Sequence, residues 1–332
     1  MLENKLAFRI TCVAALLSFI VILLGVTTRL KDAGLGCPDW PGCYGKLIVP
    51  YQSSAAFAEK SLNPKKAWLE MIHRYAAATL VLLSFAAITL ILHKRKLPQQ
   101  PVKIAFLILI LLFFQALLGK WTVTLRLHPL IVMLHLLGGL SLLSLLYLLL
   151  IGLIPFFSDS PNDNEKKLRL WSRIGLLLII IQIMLGGWTS SNYAAFVCPD
   201  FPRCQGQWWP SMNFIEGFHL WADSNRNFEG GLLSNHARTA IQMCHRIGAL
   251  ITTLYLIFLS WKLRATSRKK KLHLLSTLIM LSLILQVSLG IMNVIYLLPL
   301  PIAIAHNGFA ALLLLLLITL NSYTARTGVL KN

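Results

Sequence analysis

Long apolar runs separated by short polar stretches make up most of this chain. Eight of them are long enough to cross roughly 30 Å of hydrocarbon, covering about residues 10–29, 68–92, 104–122, 129–153, 170–190, 237–261, 274–293 and 299–322. The pattern predicts an all-α polytopic membrane protein with eight transmembrane helices. The first run, behind Lys5 and Arg9, has the outline of a signal peptide. No small-residue cleavage site follows it, and its counterpart near 170–190 is internal, so it reads as a helix.

Polar positions repeat at fixed distances. Cys37 to Cys198 and Cys43 to Cys204 are both offsets of 161, while Gln115 to Gln286, Gly119 to Gly290 and His135 to His306 are all 171. His73 to His245 is 172, so one longer outer loop accounts for most of the shift. Such regularity across residue types reads as an internal duplication. Four helices per copy is an even number, so the copies share an orientation. The expectation is two tandem four-helix bundles related by a pseudo-twofold axis along the membrane normal, unlike inverted repeats. The boundaries follow as residues 1–155 for the first half, a polar linker at 156–168 containing Pro161, and 169–332 for the second half.

Composition sharpens the class. The 332 residues are 56% hydrophobic and only 13% charged, against roughly 25% charged in an average soluble domain. A net charge of +19 would suggest nucleic acid in a soluble protein, but here Lys and Arg gather in short loops and set topology. No phosphate-binding loop or dinucleotide fingerprint argues otherwise, so no nucleic-acid partner is expected. With the N-terminus in the cytoplasm, the inner segments hold about twice the Lys and Arg of the outer ones, including the run Arg268-Lys-Lys-Lys271. Both termini are therefore expected on the cytoplasmic side of a bacterial inner membrane.

Against that apolar background the stretch Glu70-Met-Ile-His73-Arg74 stands out, because an ionisable side chain inside a bilayer usually faces a partner, a cavity or a cofactor. Glu70 and His73 share a helix face at i, i+3. The stretch returns as Gln242-Met-Cys-His245-Arg246, with His in place and Glu replaced by Gln. His73, His135, His245 and His306 each lie about five to eight residues inside the outer end of an even-numbered span, roughly 10 Å deep at ~1.5 Å per residue. Spans two and four run the same way, as do six and eight. Each pair is therefore placed to ligate a haem iron from both sides of a flat macrocycle. Zinc fits less well, since neither pair has third and fourth ligands nearby.

Arg74 and Arg246 follow two of these histidines and are candidates for haem propionates, with snorkelling to the interface as the alternative. The outer loops Cys37-Pro-Asp-Trp-Pro-Gly-Cys43 and Cys198-Pro-Asp-Phe-Pro-Arg-Cys204 read as disulfides on the oxidising side, either as clamps over the haem edge or as redox pairs. Closing so short a loop stabilises by only roughly 2 kcal/mol. Gln115-x-x-x-Gly119, Gln182-x-x-x-Gly186 and Gln286-x-x-x-Gly290 read as close helix packing. Cys12 and Cys244 read as apolar fillers, His93 and His273 as solvated inner-end residues, and His128, His219 and His236 as surface residues of the outer segments.

Taken together, the duplicated four-helix plan, the E-x-x-H-R motif, the paired histidines and the C-P-D-W-P-x-C loop closely resemble the heme A synthase family over nearly the whole chain. The resemblance implies an oxygen-dependent, haem-dependent membrane oxidoreductase. Its substrate is haem O, whose ring methyl becomes the formyl group of haem A. By motif, it places a haem b cofactor between His245 and His306, substrate haem between His73 and His135, and the required glutamate at Glu70. It implies a haem O synthase as supplier, terminal oxidase assembly as destination, and an electron donor of unknown identity. Membrane lipid surrounds the chain, and a homo-oligomer is compatible with it. Some family members have a cysteine pair only in the first half, whereas this chain also carries Cys198 and Cys204. The alternative is a diheme b-type cytochrome that carries electrons without modifying haem; symmetric sites would favour it, and the Glu70/Gln242 difference favours an enzyme with one working half.

Overall fold

The computed structural model describes residues 5–52, 57, 61–93, 101–153, 160–221 and 226–325. Among them the eight expected spans are all helices, long and apolar enough to cross a membrane. Most run a few residues past the sequence estimate at one end or both. The chain divides into two compact units, Met1–Ile154 with His219–Leu232, and Pro155–Phe218 with Leu233–Asn332.

The first unit holds α1 (Lys5–Leu30), α2 (Pro64–His93), α3 (Val102–Thr124) and α4 (Pro129–Leu153). α1 packs on α2 and α4, and α3 packs on the same two helices, so α2 and α4 stand at opposite corners of the bundle. Lipid tails are as apolar as leucine, so packing rather than hydrophobic burial holds such helices together. Ala14, Leu80, Ile88, Ile108, Leu146 and Leu149 interlock in the half of the bundle nearer the start of α1. That apolar core leaves the opposite half for the polar groups of α2 and α4.

The unit is completed by a segment from much later in the sequence. The Phe228 N–H donates to the Arg126 carbonyl at 3.1 Å, and its ring packs with Leu35, Val123 and Leu127. His128 lies beneath, with the Trp221 and Phe228 rings at 5.1 and 5.0 Å, and Lys66 meets Glu229 at 3.5 Å. The sequence reading had placed His128 at the surface. It is only 1% exposed, because residues of a distant loop cover it.

In the second unit, short helices α5 (Asp163–Lys166) and α7 (Phe214–Gly217) accompany α6 (Leu168–Ser191), α8 (Asn235–Thr266), α9 (Lys270–Ile295) and α10 (Leu300–Thr324). α6 packs on α8 and α10, and α9 on the same pair, so α8 and α10 occupy opposite corners. The stretch expected as a linker is partly built into this unit. Asn162 and Glu165 form a reciprocal capping box. Glu165, fully buried, accepts from Ser267 Oγ at 2.5 Å, Tyr323 Oη at 2.7 Å and Lys269 Nζ at 2.9 Å. A buried carboxylate is tolerated when donors surround it in this way. The linker residues before 160 fall outside the described ones.

The turns correspond between units. The α3–α4 reversal uses left-handed φ at Arg126 and Leu127, and the α9–α10 reversal uses it at Leu297 and Leu298, again 171 apart. Non-glycine residues seldom adopt that region. Pro129 and Pro299 then fix the entry to the next helix.

Candidate functional site

Each unit brings two buried imidazoles near one another from its two opposite helices. His73 on α2 and His135 on α4 are near enough to interact electrostatically, as are His245 on α8 and His306 on α10. Every ring lies against a glycine of the neighbouring helix. A Cβ added at Gly25 would stand 3.0 Å from His73 Cε1, at Gly119 3.4 Å from His135, at Gly186 3.1 Å from His245 and at Gly290 3.0 Å from His306. A side chain at Gly25, Gly186 or Gly290 would require the ring to give by a few tenths of an ångström, and one at Gly119 would just touch it, so the glycines act as seats for the imidazoles rather than only as close-packing positions.

The polar partners of the rings differ between units. In the second, Gln182 Nε2 lies 3.0 Å from His245 Nδ1 and donates to the His245 carbonyl at 3.0 Å. His306 Nδ1 donates to the Gln286 carbonyl at 3.1 Å, and the Gln286 amide nitrogen is 3.3 Å from His306 Nε2. In the first unit, Nδ1 of His73 and Nδ1 of His135 are both buried without a hydrogen-bond partner. The His73 ring meets the main chain of Val21. The Gln115 amide packs onto Gly138, where an added Cβ would fall 1.7 Å from its nitrogen.

These observations test whether haem suits the residues present. Imidazole is the right donor for haem iron, each unit holds two rings near enough to influence each other, and a glycine lies against each ring. In the first unit, buried imidazole nitrogens that lack partners are what a ligand would satisfy. Among the described residues no three of His, Cys, Asp and Glu gather as an all-protein metal site would require. The residues fit a haem in each unit.

Above the histidines sit two disulfide loops, Cys37–Cys43 and Cys198–Cys204. Asp39 accepts from the N–H groups of Tyr44 at 2.6 Å and Gly45 at 2.9 Å, and Asp200 accepts from Gln205 at 2.7 Å and Gly206 at 2.9 Å. Tyr44 and Gln205 carry the same left-handed φ, at 54° and 55°. Arg74 donates to the carbonyls of Asp39, Pro41 and Gly42, and Arg246 to those of Cys198, Asp200 and Arg203. Both guanidiniums are thus turned toward the loops that cover their units. Burial is the largest influence on the Asp200 carboxyl and opposes its charge; the Gly206 and Gln205 N–H groups outweigh it and hold the carboxyl below its usual range.

Glu70 belongs to this loop-and-helix junction as well. It is 4% exposed. One oxygen pairs with Arg74 and the other accepts the Cys37 N–H at 2.8 Å. At the matching position Gln242 is 5% exposed, and its Oε1 has no partner.

Residues 8–318 match the model of a family described as COX15-CtaA, cytochrome oxidase assembly protein. This chain belongs to that family. Among its COX15-CtaA relatives, a protein of Shewanella oneidensis named Heme A synthase is 48% identical over 321 residues, covering 95% of this chain and 94% of its own. Proteins with the same name from Caulobacter vibrioides and Lysinibacillus sphaericus are each 27% identical, over 91% and 95% of this chain and 91% and 94% of their own.

For a COX15-CtaA chain read from sequence alone, the four histidines, Glu70 and the four cysteines were visible, and the structure brings them together unit by unit. Gly25 was missed, because Val21 breaks the Gln-x-x-x-Gly signature that exposed Gly119, Gly186 and Gly290. The offset of 161 from Gly25 to Gly186 was the available signal. Asp39 and Asp200 were also passed over, although they shape the disulfide loops.

Proposed function

We propose that this chain is an integral membrane enzyme with heme A synthase activity, oxidising the ring methyl of haem O to the formyl group of haem A with dioxygen as oxidant. The observation that carries this reading is the 48% identity, spread over nearly the full length, with a relative named Heme A synthase. The inequality of the two units supports it. A pure electron carrier has no need of a carboxylate beside one histidine pair and an amide beside the other.

In this reading His245 and His306 hold haem b, and His73 and His135 hold the substrate haem O. Haem b, when bound, supplies reversible one-electron transfer. Glu70 places a fixed negative charge one turn from His73, oriented by Arg74 and the Cys37 N–H, where positive charge developing beside the ring is stabilised. Glu70 is almost fully buried, which strengthens that interaction. Arg74 and Arg246, each one residue after a histidine, would be the cations to pair with haem propionates.

The Lys and Arg distribution supports an orientation with both termini on the cytoplasmic side of a bacterial inner membrane. Both disulfides then lie on the oxidising side, where such bonds persist. A haem O synthase supplies the substrate, terminal oxidase assembly takes the product, and a separate reductant feeds electrons. Expression with and without a haem O source, followed by haem extraction and chromatography, tests the reading. Haem A should form only when haem O is supplied. Pigmented, folded protein that leaves haem O unchanged would overturn it in favour of a diheme electron carrier.

A further inference from the structure

One glycine beside the first disulfide loop has no room for a side chain. Gly36 lies against the first turn of α2, where a Cβ would stand 2.6 Å from the Lys66 carbonyl carbon, 2.7 Å from its oxygen and 2.8 Å from the Ala67 nitrogen. All three are main-chain atoms of a helix and cannot swing aside as a side chain would, so a larger residue must push the loop off the helix. The next residue is Cys37. Its N–H donates to Glu70 at 2.8 Å, one turn further along α2, and its Sγ lies 3.9 Å from the Ala67 carbonyl oxygen.

The second unit joins loop to helix by other means. The position 161 residues on from Gly36 is Val197, half-buried and packed with Cys198 and Cys204. There the Gln205 side chain spans the joint, donating to the Val197 carbonyl and to Thr239 Oγ1 at 3.1 Å each. Thr239 stands where the first unit has Ala67, and Gln205 where it has Tyr44. Gln242 Oε1, at the place of the Glu70 carboxylate, has no hydrogen-bond partner. The close main-chain joint and the carboxylate occur together in one unit and are replaced together in the other.

We propose that Gly36 is a positioning residue for Glu70. Its missing side chain lets the loop approach α2 closely enough for the Cys37 N–H to hold one carboxylate oxygen while Arg74 holds the other. A carboxylate fixed from both sides keeps one orientation, and a preorganised charge stabilises charge developing nearby without first having to reorient. The proposal rests on the role given to Glu70 above and deepens it, because it names the loop residue that sets where that charge sits.

The test compares full-length wild type, Glu70→Gln, Gly36→Ala and Gly36→Val, the last placing the second unit's residue in the first, all carrying carboxyl-labelled glutamate. The infrared carboxylate band that disappears in Glu70→Gln belongs to Glu70. In Gly36→Ala that band should shift and broaden, because a charge-assisted hydrogen bond is lost. Haem A formation should fall about tenfold or more, the scale on which small misplacements act, with hemin binding unchanged. Gly36→Val should do both more strongly. Where the loop variants do not accumulate, exchange of the Cys37 amide decides, read by NMR on cysteine-labelled protein with Gly36 in place. That N–H should exchange about tenfold more slowly in wild type than in Glu70→Gln, as the loss of a hydrogen bond to a charged group implies.

An unmoved Glu70 band in Gly36→Ala would overturn the proposal, and so would equal exchange of the Cys37 amide in wild type and Glu70→Gln. Neither reading needs turnover. A shifted band in a protein whose wild type makes no haem A removes the functional reading and leaves Gly36 as the residue that holds Glu70. Haem A formed at the wild-type rate by Gly36→Ala removes the proposal and leaves the functional reading in place.

Discussion

The two disulfide loops have nearly the same backbone, yet they attach to their helices differently. Both are closed by a cystine, turned by an aspartate and clamped from below by an arginine. Only the first also donates a hydrogen bond to the helix carboxylate, from the Cys37 N–H to Glu70. The second forms with Gln242 at that place and an amide oxygen that binds nothing. Building the loop therefore does not require the carboxylate. What Glu70 adds is charge, and the first unit alone has it.

The largest expected effect comes from exchanging those two residues. Glu70→Gln should lower haem A formation by about 100-fold or more, in the range for losing an electrostatic or acid–base group, while hemin binding and protein yield stay near wild type. Gln242→Glu should not create a second working unit. Chromatography of extracted haems reads both, and normal haem A output from Glu70→Gln would mean the carboxylate is structural.

Next is the asymmetry of the histidine pairs. His245→Ala or His306→Ala should abolish the low-spin b-type spectrum of purified protein, and His73→Ala or His135→Ala should largely spare it. The reverse pattern would exchange the roles of the units.

The clamps should differ in stability. Arg74→Ala takes the cation from the buried Glu70 carboxylate, a change that typically costs about 3–5 kcal/mol, whereas Arg246→Ala removes hydrogen bonds from a charged group to carbonyls, about 1.5–3 kcal/mol. Thermal denaturation in detergent should show the larger fall for Arg74→Ala. Equal falls would make the Glu70–Arg74 pair energetically silent.

The smallest effect concerns how α8 begins. Glu216 accepts from the Ser234 N–H at 2.7 Å and from its hydroxyl at 2.6 Å, and those bonds hold its carboxyl below 4.5. A folded-state value below the unfolded one means its contribution is present above about pH 4.5 and fades as pH falls through the folded value. Glu216→Gln should remove that acid-side loss and leave stability at neutral pH slightly reduced. A pH series of melting temperatures checks it; identical acid limbs in the two proteins would rule it out.

Much of this was legible in the sequence, for physical reasons. A bilayer forces apolar runs of fixed length, so all eight spans could be read, and a charged or imidazole side chain inside such a run is conspicuous because it is costly. Glu70, His73, His135, His245 and His306 were found that way. Contacts between distant segments leave no such mark. His128 looked like an ordinary turn residue, since nothing in its neighbourhood announces Trp221 and Phe228. The glutamines looked like packing residues because the hydrogen bonds of Gln182 and Gln286 reach a different helix.

The placement of Phe228 bears on how this gene can be divided. Cutting the chain between its two sequence halves looks natural, and a fragment ending near residue 155 would contain every helix of the first unit. It would also lack the ring that packs on Leu35, Val123 and Leu127, worth about 1.5–3 kcal/mol for a buried phenylalanine, and would uncover His128. The working module of the first unit is therefore discontinuous in the gene. A split protein would need the His219–Leu232 stretch supplied back, either grafted to the fragment or by co-expression with the other half, before its behaviour could speak for the intact enzyme.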